Sequence, residues 1–243
     1  MSYYRFKEEK CAATQKPPID ILINGSKLPL FMPPLLQIIH HDPTFVVVEK
    51  ESGMLAVPGR GPDKIDSVAH RVRQMFPNCI EQPAAHRLDM DTSGLMVLGL
   101  TAETHRELSR QFLERETKKR YIALLDGILE DEGGTVSLPF RLDVDNRPIQ
   151  IYDEVHGKMG TTHWEHLGIE GNYTRISFVP VTGRTHQLRL HAAHEKGIGI
   201  PIVGDPFYGN GTGPGQLKLH ACELTFCHPV TGEELTFRSK PPF

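Results

Sequence analysis

His86-Arg87-Leu88-Asp89-Met90-Asp91-Thr92-Ser93-Gly94 runs without a break into Leu95-Met96-Val97-Leu98. A charged loop thus empties into an apolar strand, and Gln82-Pro83-Ala84-Ala85 stiffens the approach. Such a junction holds a polar side chain rigidly at the edge of a core, a common setting for reactive groups. Asp89, two residues from Arg87, is the carboxylate so placed. An ordinary polar turn, with Asp89 capping a backbone N–H, accounts for the same residues equally well.

Strands are signalled on both sides of this junction. Upstream, Phe45-Val46-Val47-Val48-Glu49 is a β-branched run that predicts a strand, leading into Lys50-Glu51-Ser52-Gly53-Met54-Leu55. Asp66 or Ser67 caps a helix with Val68, Val72, Met75 and Phe76 on one face, ended by Pro77. Downstream, Leu95 to Leu100 is a strand, and Thr101 caps a helix whose buried stripe holds Leu108 and Phe112. Tyr121 to Leu125 and the alternating Tyr173 to Val179 are strands. Val181 to His191 turns into a helix that Gly197 terminates. Leu219 to Phe226 and Glu234 to Arg238 pair about Pro229-Val230-Thr231-Gly232. Many strands with a few helices between them predict an α+β domain around a mixed, largely antiparallel central sheet, over residues 38–243. Residues 1–37 read as a Pro-rich extension, with Pro17-Pro18, Pro29 and Pro33-Pro34, and with a short strand at Ile19 to Ile23 turning at Asn24-Gly25.

A chain of 243 residues with 39% apolar and 23% charged residues is long enough to bury a core and has the balance of a globular protein. No apolar stretch approaches the ~20 residues that span a bilayer. The first residues lack a hydrophobic signal core, so the expectation is a cytoplasmic protein with no membrane contact. Cys11, Cys79, Cys222 and Cys227 are too few and too scattered for a disulfide framework, which suits a reducing compartment. His220, Cys222, Cys227 and His228 lack a second Cys-x-x-Cys pair, and on one strand Cys227 points away from the others, so no metal site is expected. The net charge of −3 argues against coating nucleic acid nonspecifically; any RNA contact must come from a local basic surface. Arg106, Arg110, Arg115, Lys118, Lys119 and Arg120 outnumber Glu107, Glu114 and Glu116 and offer one. The plainer alternative is a solvated helix face laced with pairs such as Arg110 with Glu114. Lys118-Lys119-Arg120 is the part assigned to RNA.

The run His86-Arg87-Leu88-Asp89-x-x-Thr92-Ser93-Gly94 resembles the signature of the RluA-type RNA pseudouridine synthases. Lys50 to Leu55 is similar to that family's Lys-Pro-Ser-Gly-Leu motif, with Glu51 where the family usually has proline. Lys119-Arg120-Tyr121-Ile122-Ala123 resembles its basic-x-Tyr strand. Gly183-Arg184-Thr185-His186-Gln187-Leu188-Arg189-Leu190-His191 resembles its Gly-Arg-x-His-Gln-Leu-Arg-x-His segment. Gly204-Asp205-Pro206-Phe207-Tyr208-Gly209 resembles its Gly-Asp-x-x-Tyr-Gly loop. Ordered motifs from about residue 45 onward are specific together, where any one alone would be weak. Many relatives carry an N-terminal S4-type RNA-binding domain, for which residues 1–37 look too short and too Pro-broken.

The resemblance implies the pseudouridine synthase fold and an isomerase that detaches uracil from N1, turns it and rejoins it through C5. It makes Asp89 the nucleophile, with Arg184 paired to it and keeping it charged. Tyr121 lies on one face of the base and Leu188 packs on the other. Arg87 contacts the extruded nucleotide, unless it is tied up in a salt bridge with Asp91 or Asp205. Lys118 and Lys119 bind substrate. His186 and His191 are structural. The reaction involves no redox step or phosphate cleavage, so no cofactor is expected. The partner is RNA, with no obligatory protein partner evident. Leu142-Asp143-Val144-Asp145-Asn146-Arg147-Pro148 resembles the short branch without an S4 domain, which points to large-subunit rRNA and the tRNA anticodon stem-loop. Two other readings use the same residues: a noncatalytic RNA-binding module that keeps the fold, or a hydrolase using Asp89 with His86 or His186.

Overall fold

The computed structural model describes residues 36–243 and two short strands before them. The chain divides into two compact units, Met1–Leu35 and Leu36–Phe243. In the first, β1 (Leu22–Ile23) pairs antiparallel with β2 (Ser26–Lys27), with Asn24-Gly25 between them in sequence. The rest of the extension expected over residues 1–37, and with it the question of an S4 domain, lies outside the described residues.

The second unit is built on one sheet. Its elements are β3 (Gln37–His41), β4 (Phe45–Lys50), α1 (Val68–Met75), β5 (Ser93–Gly99), α2 (Ala102–Leu113), β6 (Lys118–Leu125), β7 (Gly133–Leu142), β8 (Gln150–Tyr152), β9 (Lys158–Glu170), β10 (Tyr173–Pro180), α3 (Gln187–Ala193), β11 (Leu219–Cys227) and β12 (Glu234–Arg238). Across the sheet the strands lie in the order β3-β4-β5-β11-β6-β10-β9-β7-β8, with β12 also paired to β11. Among the described strands only β5 and β11 run parallel, at Ser93 and Gly94 against His220 and Ala221. The other pairs are antiparallel, as the α+β expectation required.

Burial explains the sequence patterns. Val46, Val48, Met96 and Leu98 pack under α1 with Val68 and Val72. Phe45, Val47, Leu95 and Val97 face the other way, with Leu108 of α2 and Phe226 of β11. β4 and β5 are therefore covered on both faces, which is why they read as continuous apolar runs rather than alternating ones. Each such large side chain contributes about 1.5 to 3 kcal/mol on leaving water. A third cluster joins Ala123, Leu125, Ile176, Phe178 and Leu219 to Leu188 and Ala192 of α3.

Helix ends follow local chemistry. The Ser67 hydroxyl accepts the His70 N–H at 3.2 Å, and Thr101 accepts that of Thr104 at 3.3 Å. α3 departs from expectation at its end: it stops at Ala193, and Gly197 closes the following turn by donating to the His194 carbonyl. The long β7–β9 pairing carried no clear sequence signal, because its exposed and half-buried positions mix Thr, His, Glu and Gly.

Candidate active site

Ala221 is where the site converges. It faces Gly94 of β5 on one side and Tyr121 of β6 on the other. The Asp89 loop enters the sheet at Ser93, one residue before Gly94, so strand register alone brings loop and tyrosine together. Gly94 has φ 115°, and a Cβ there would lie 2.4 Å from the Ala221 carbonyl oxygen. Only glycine allows this approach.

The loop is fastened from below. Lys50 is fully buried, and its ammonium donates to the carbonyls of Glu51, Met54 and Met90 at 2.9, 2.8 and 2.7 Å. The Gly53 N–H also reaches the Met90 carbonyl at 3.0 Å, and the Ser52 hydroxyl donates to that of Asp91. These bonds hold the Lys50–Gly53 turn rigid although Glu51 stands in place of proline. Burial pushes the Lys50 ammonium down to about 7, against the pull of the Asp91, Asp89 and Glu51 carboxylates.

Asp89 sits on a cleft of about 860 Å³ that Arg87, Lys119, Tyr121, Arg184 and Leu188 also line. Its side chain is 20% exposed, and the nearest cation is Arg189, whose Nη1 lies 4.0 Å from Oδ2. Arg189 is itself fixed: Nε and Nη2 donate to the two oxygens of Asp205 at 2.7 and 2.6 Å. Asp205 also accepts the N–H groups of Phe207 and Tyr208. The Tyr208 hydroxyl accepts the Gln150 N–H and meets His186 Nδ1 at 3.0 Å.

The pairing expected between Arg184 and Asp89 is therefore not made. The Arg184 guanidinium stacks over the Phe140 ring at 4.7 Å and donates to the Lys158 carbonyl, at another part of the cleft wall. The reason is rotational. α3 starts only after His186, held left-handed at φ 54°, and the helical turn that follows swings Arg189, not Arg184, toward the loop.

Strand parity corrects a second expectation. Lys119 and Tyr121 share the face of β6 that lines the cleft, while Lys118 points to the other side and pairs with Glu234 at 2.8 Å. Arg120 donates to the Ser177 hydroxyl. Lys118 is thus withdrawn from the cleft. Burial, then the Asp89 and Cys222 charges, push the Tyr121 phenol up, so it stays protonated. Leu188 is 8% exposed, packed into the third core cluster with one side to the cleft. Arg87 is exposed on the rim and makes neither of the salt bridges weighed for it: Asp205 is taken by Arg189, and Asp91 accepts the Gly215 N–H.

The histidines do not suit a hydrolase. His86 Nε2 accepts the Val97 N–H at 3.1 Å, its ring stacks on Phe112, and burial pushes its imidazole down to about 3. His186 bonds Tyr208, and His191 bonds the Thr162 hydroxyl. The weighed metal set disperses as well: His220 lies between the Ser93 and Ser239 hydroxyls, Cys222 faces the Arg120 carbonyl, and His228 meets Asp42.

Arg189, Asp205 and Lys50 all lie inside motifs already quoted from the sequence, yet nothing local singled them out. Their roles depend on partners 16 to 100 residues away or on burial, which no spacing rule reports.

Residues 44–194 match the family model described as RNA pseudouridylate synthase. The dual-specificity RNA pseudouridine synthase RluA of Haemophilus influenzae is 48% identical over 214 residues, covering 86% of this chain and 95% of that protein. The protein of the same name from Escherichia coli K12 is 41% identical over the same shares. Among solved structures, human RNA pseudouridylate synthase domain containing 1 superposes with TM-score 0.69 at 28% identity, covering 86% of this chain and 84% of that one.

Proposed function

The chain belongs to the RNA pseudouridylate synthase family, and from that premise we propose which residues carry its isomerisation and which RNAs it takes. It is an RNA pseudouridine synthase, an isomerase. Uridine loses its N1–C1′ bond and gains a C5–C1′ bond; the C5 proton leaves and N1 acquires one. Attack by a carboxylate on C1′, attack on C6, or deprotonation at C2′ each require that carboxylate to be ionised at the nucleoside. Asp89 is that group. Arg189, with Nη1 4.0 Å from its Oδ2, is the cation that stands beside it.

Tyr121 lies against one face of the uracil, and its phenol, kept protonated by burial, donates a hydrogen bond there rather than acting as a base. Leu188 covers the other face. The uridine reaches the pocket only after unstacking, at a cost of a few kcal/mol. Arg87, exposed beside Asp89, meets the extruded nucleotide's backbone. The single observation that carries this reading is the Asp89 carboxylate, 4.0 Å from an immobilised guanidinium in the cleft that Tyr121 lines. Tritium release from [5-³H]uridine-labelled RNA tests it. Asp89→Asn abolishes release; equal release by variant and wild type would remove Asp89 from this role.

The substrates are stem-loops in large-subunit rRNA and in the tRNA anticodon arm, met in the cytoplasm. The Leu142–Pro148 segment supports this, as do the dual-specificity names of the relatives. The catalytic domain recognises such loops by shape. Pseudouridine mapping with and without the gene decides it, and a deletion in which neither RNA loses a site would refute it.

A further inference from the structure

α2 ends in a Schellman turn with an unusual residue at its centre. The Glu116 N–H donates to the Gln111 carbonyl at 2.9 Å and the Arg115 N–H to that of Phe112 at 3.3 Å. This geometry places Arg115 in the left-handed region, φ 61°. Glycine is the usual occupant, because a Cβ there crowds the neighbouring carbonyl. Among the described residues, His186 is the other non-glycine held this way, and it too borders the site. Strain kept at a position that glycine would relieve points to a task for the side chain.

The charges nearby are sorted to the same end. Arg110 gathers Glu107, Glu114 and Glu116, so both glutamates flanking Arg115 are already engaged. Arg115 and Lys119 line the Asp89 cleft together, and among the described residues neither has a carboxylate within 4 Å. They press on one another instead: burial first, then the Arg115 charge, lowers the Lys119 ammonium. Lys119 Nζ lies 5.9 Å from the Phe112 ring centre, at the wall of the cleft. Two cations that line one cleft, each without a carboxylate within 4 Å among the described residues, form a place for an anion.

We propose that Arg115 and Lys119 form a subsite for a backbone phosphate of the substrate RNA, gripping the strand beside the extruded uridine. This rests on the RNA isomerase reading above. Lys118, one residue away but on the opposite face of β6, lies outside the subsite.

The test is the salt dependence of binding, followed by fluorescence anisotropy with a labelled RNA stem-loop that wild type converts. Arg115→Gly and Lys119→Met each weaken binding several-fold at low salt. Each also flattens the slope of log Kd against log salt by about 0.7 to 0.9, the contribution of one phosphate contact. Arg115→Gly meanwhile melts about 2 to 4 °C higher, because glycine relieves the left-handed strain. A merely structural arginine would not combine a higher Tm with a shallower salt slope. Lys118→Met leaves the slope unchanged. Wild-type slopes in both cleft variants overturn the subsite, and so does an equal flattening by Lys118→Met. If wild type converts uridine in no RNA, the isomerase reading fails and the subsite falls with it.

Discussion

Arg189 and Asp205 form a two-bond ion pair sealed from water, at 2.7 and 2.6 Å, with their side chains 1% and 0% exposed. The pair fixes the guanidinium plane and leaves Nη1 as the group directed toward Asp89. Removing Asp205 strands a buried cation, so Asp205→Ala costs about 3 to 5 kcal/mol in urea unfolding. Asp205→Asn keeps the shape but loses the charge. It folds, and its turnover of uridine falls by at least about tenfold, equivalent to about 1.4 kcal/mol of lost transition-state stabilisation. Wild-type turnover in a folded Asn variant would show that Arg189 needs no partner.

Lys50 acts on the loop that carries the same carboxylate. Lys50→Met removes a buried donor shared by three carbonyls, one of them that of Met90, next to Asp89. The expected loss is about 3 kcal/mol of stability, with a kcat that falls more than KM changes. Urea melts and single-turnover tritium release measure the two. A variant as stable as wild type would mean that the turn holds through Gly53 and Ser52 alone.

Gly94→Ala tests the parallel seam between β5 and β11. A Cβ 2.4 Å from the Ala221 carbonyl oxygen, on a residue at φ 115°, forces the two strands apart. The cost is about 3 kcal/mol or more, placing it among the severe single substitutions. Tyr121 loses its register with the Asp89 loop as well. Thermal melting and activity fall together; a melt within a degree or so of wild type would contradict the seam's tightness.

Stability falls on the acid side. Burial pushes the imidazoles of His191 and His220 from 6.5 down to about 4, and both side chains are fully buried. Between those values the unfolded chain binds protons that the folded chain refuses. Stability is thus complete above about pH 6.5 and declines toward pH 4, by about 1.4 kcal/mol per pH unit for each histidine. Urea midpoints measured across that window report the slope. His191→Gln flattens it; an unchanged slope would remove His191 from the account.

Much of the fold was legible because its signals are short-range. Ser67 and Thr101 cap helices through hydroxyls three residues from the N–H they accept. The runs at Phe45 to Val48 and Leu95 to Leu98 announced strands, and the structure covers these on both faces. The β7–β9 pairing was not legible, since a half-exposed strand rich in Thr, His and Gly carries little periodic contrast.

At the site, sequence determined that Asp89 stands on a loop opening into a buried strand and that Tyr121 belongs to a strand behind a basic run. It also placed Arg184 and Arg189 in one short segment, where the resemblance gave the pairing with Asp89 to Arg184. Tertiary structure set Arg189 there instead, through a left-handed His186, the turn of α3, and the counter-charge of Asp205. It likewise chose Lys119 over Lys118, by the parity of β6 against its neighbours. The division has a physical cause: caps and apolar runs are settled within a few residues, whereas the partner of a charge is settled by whichever distant group the packed core leaves within reach.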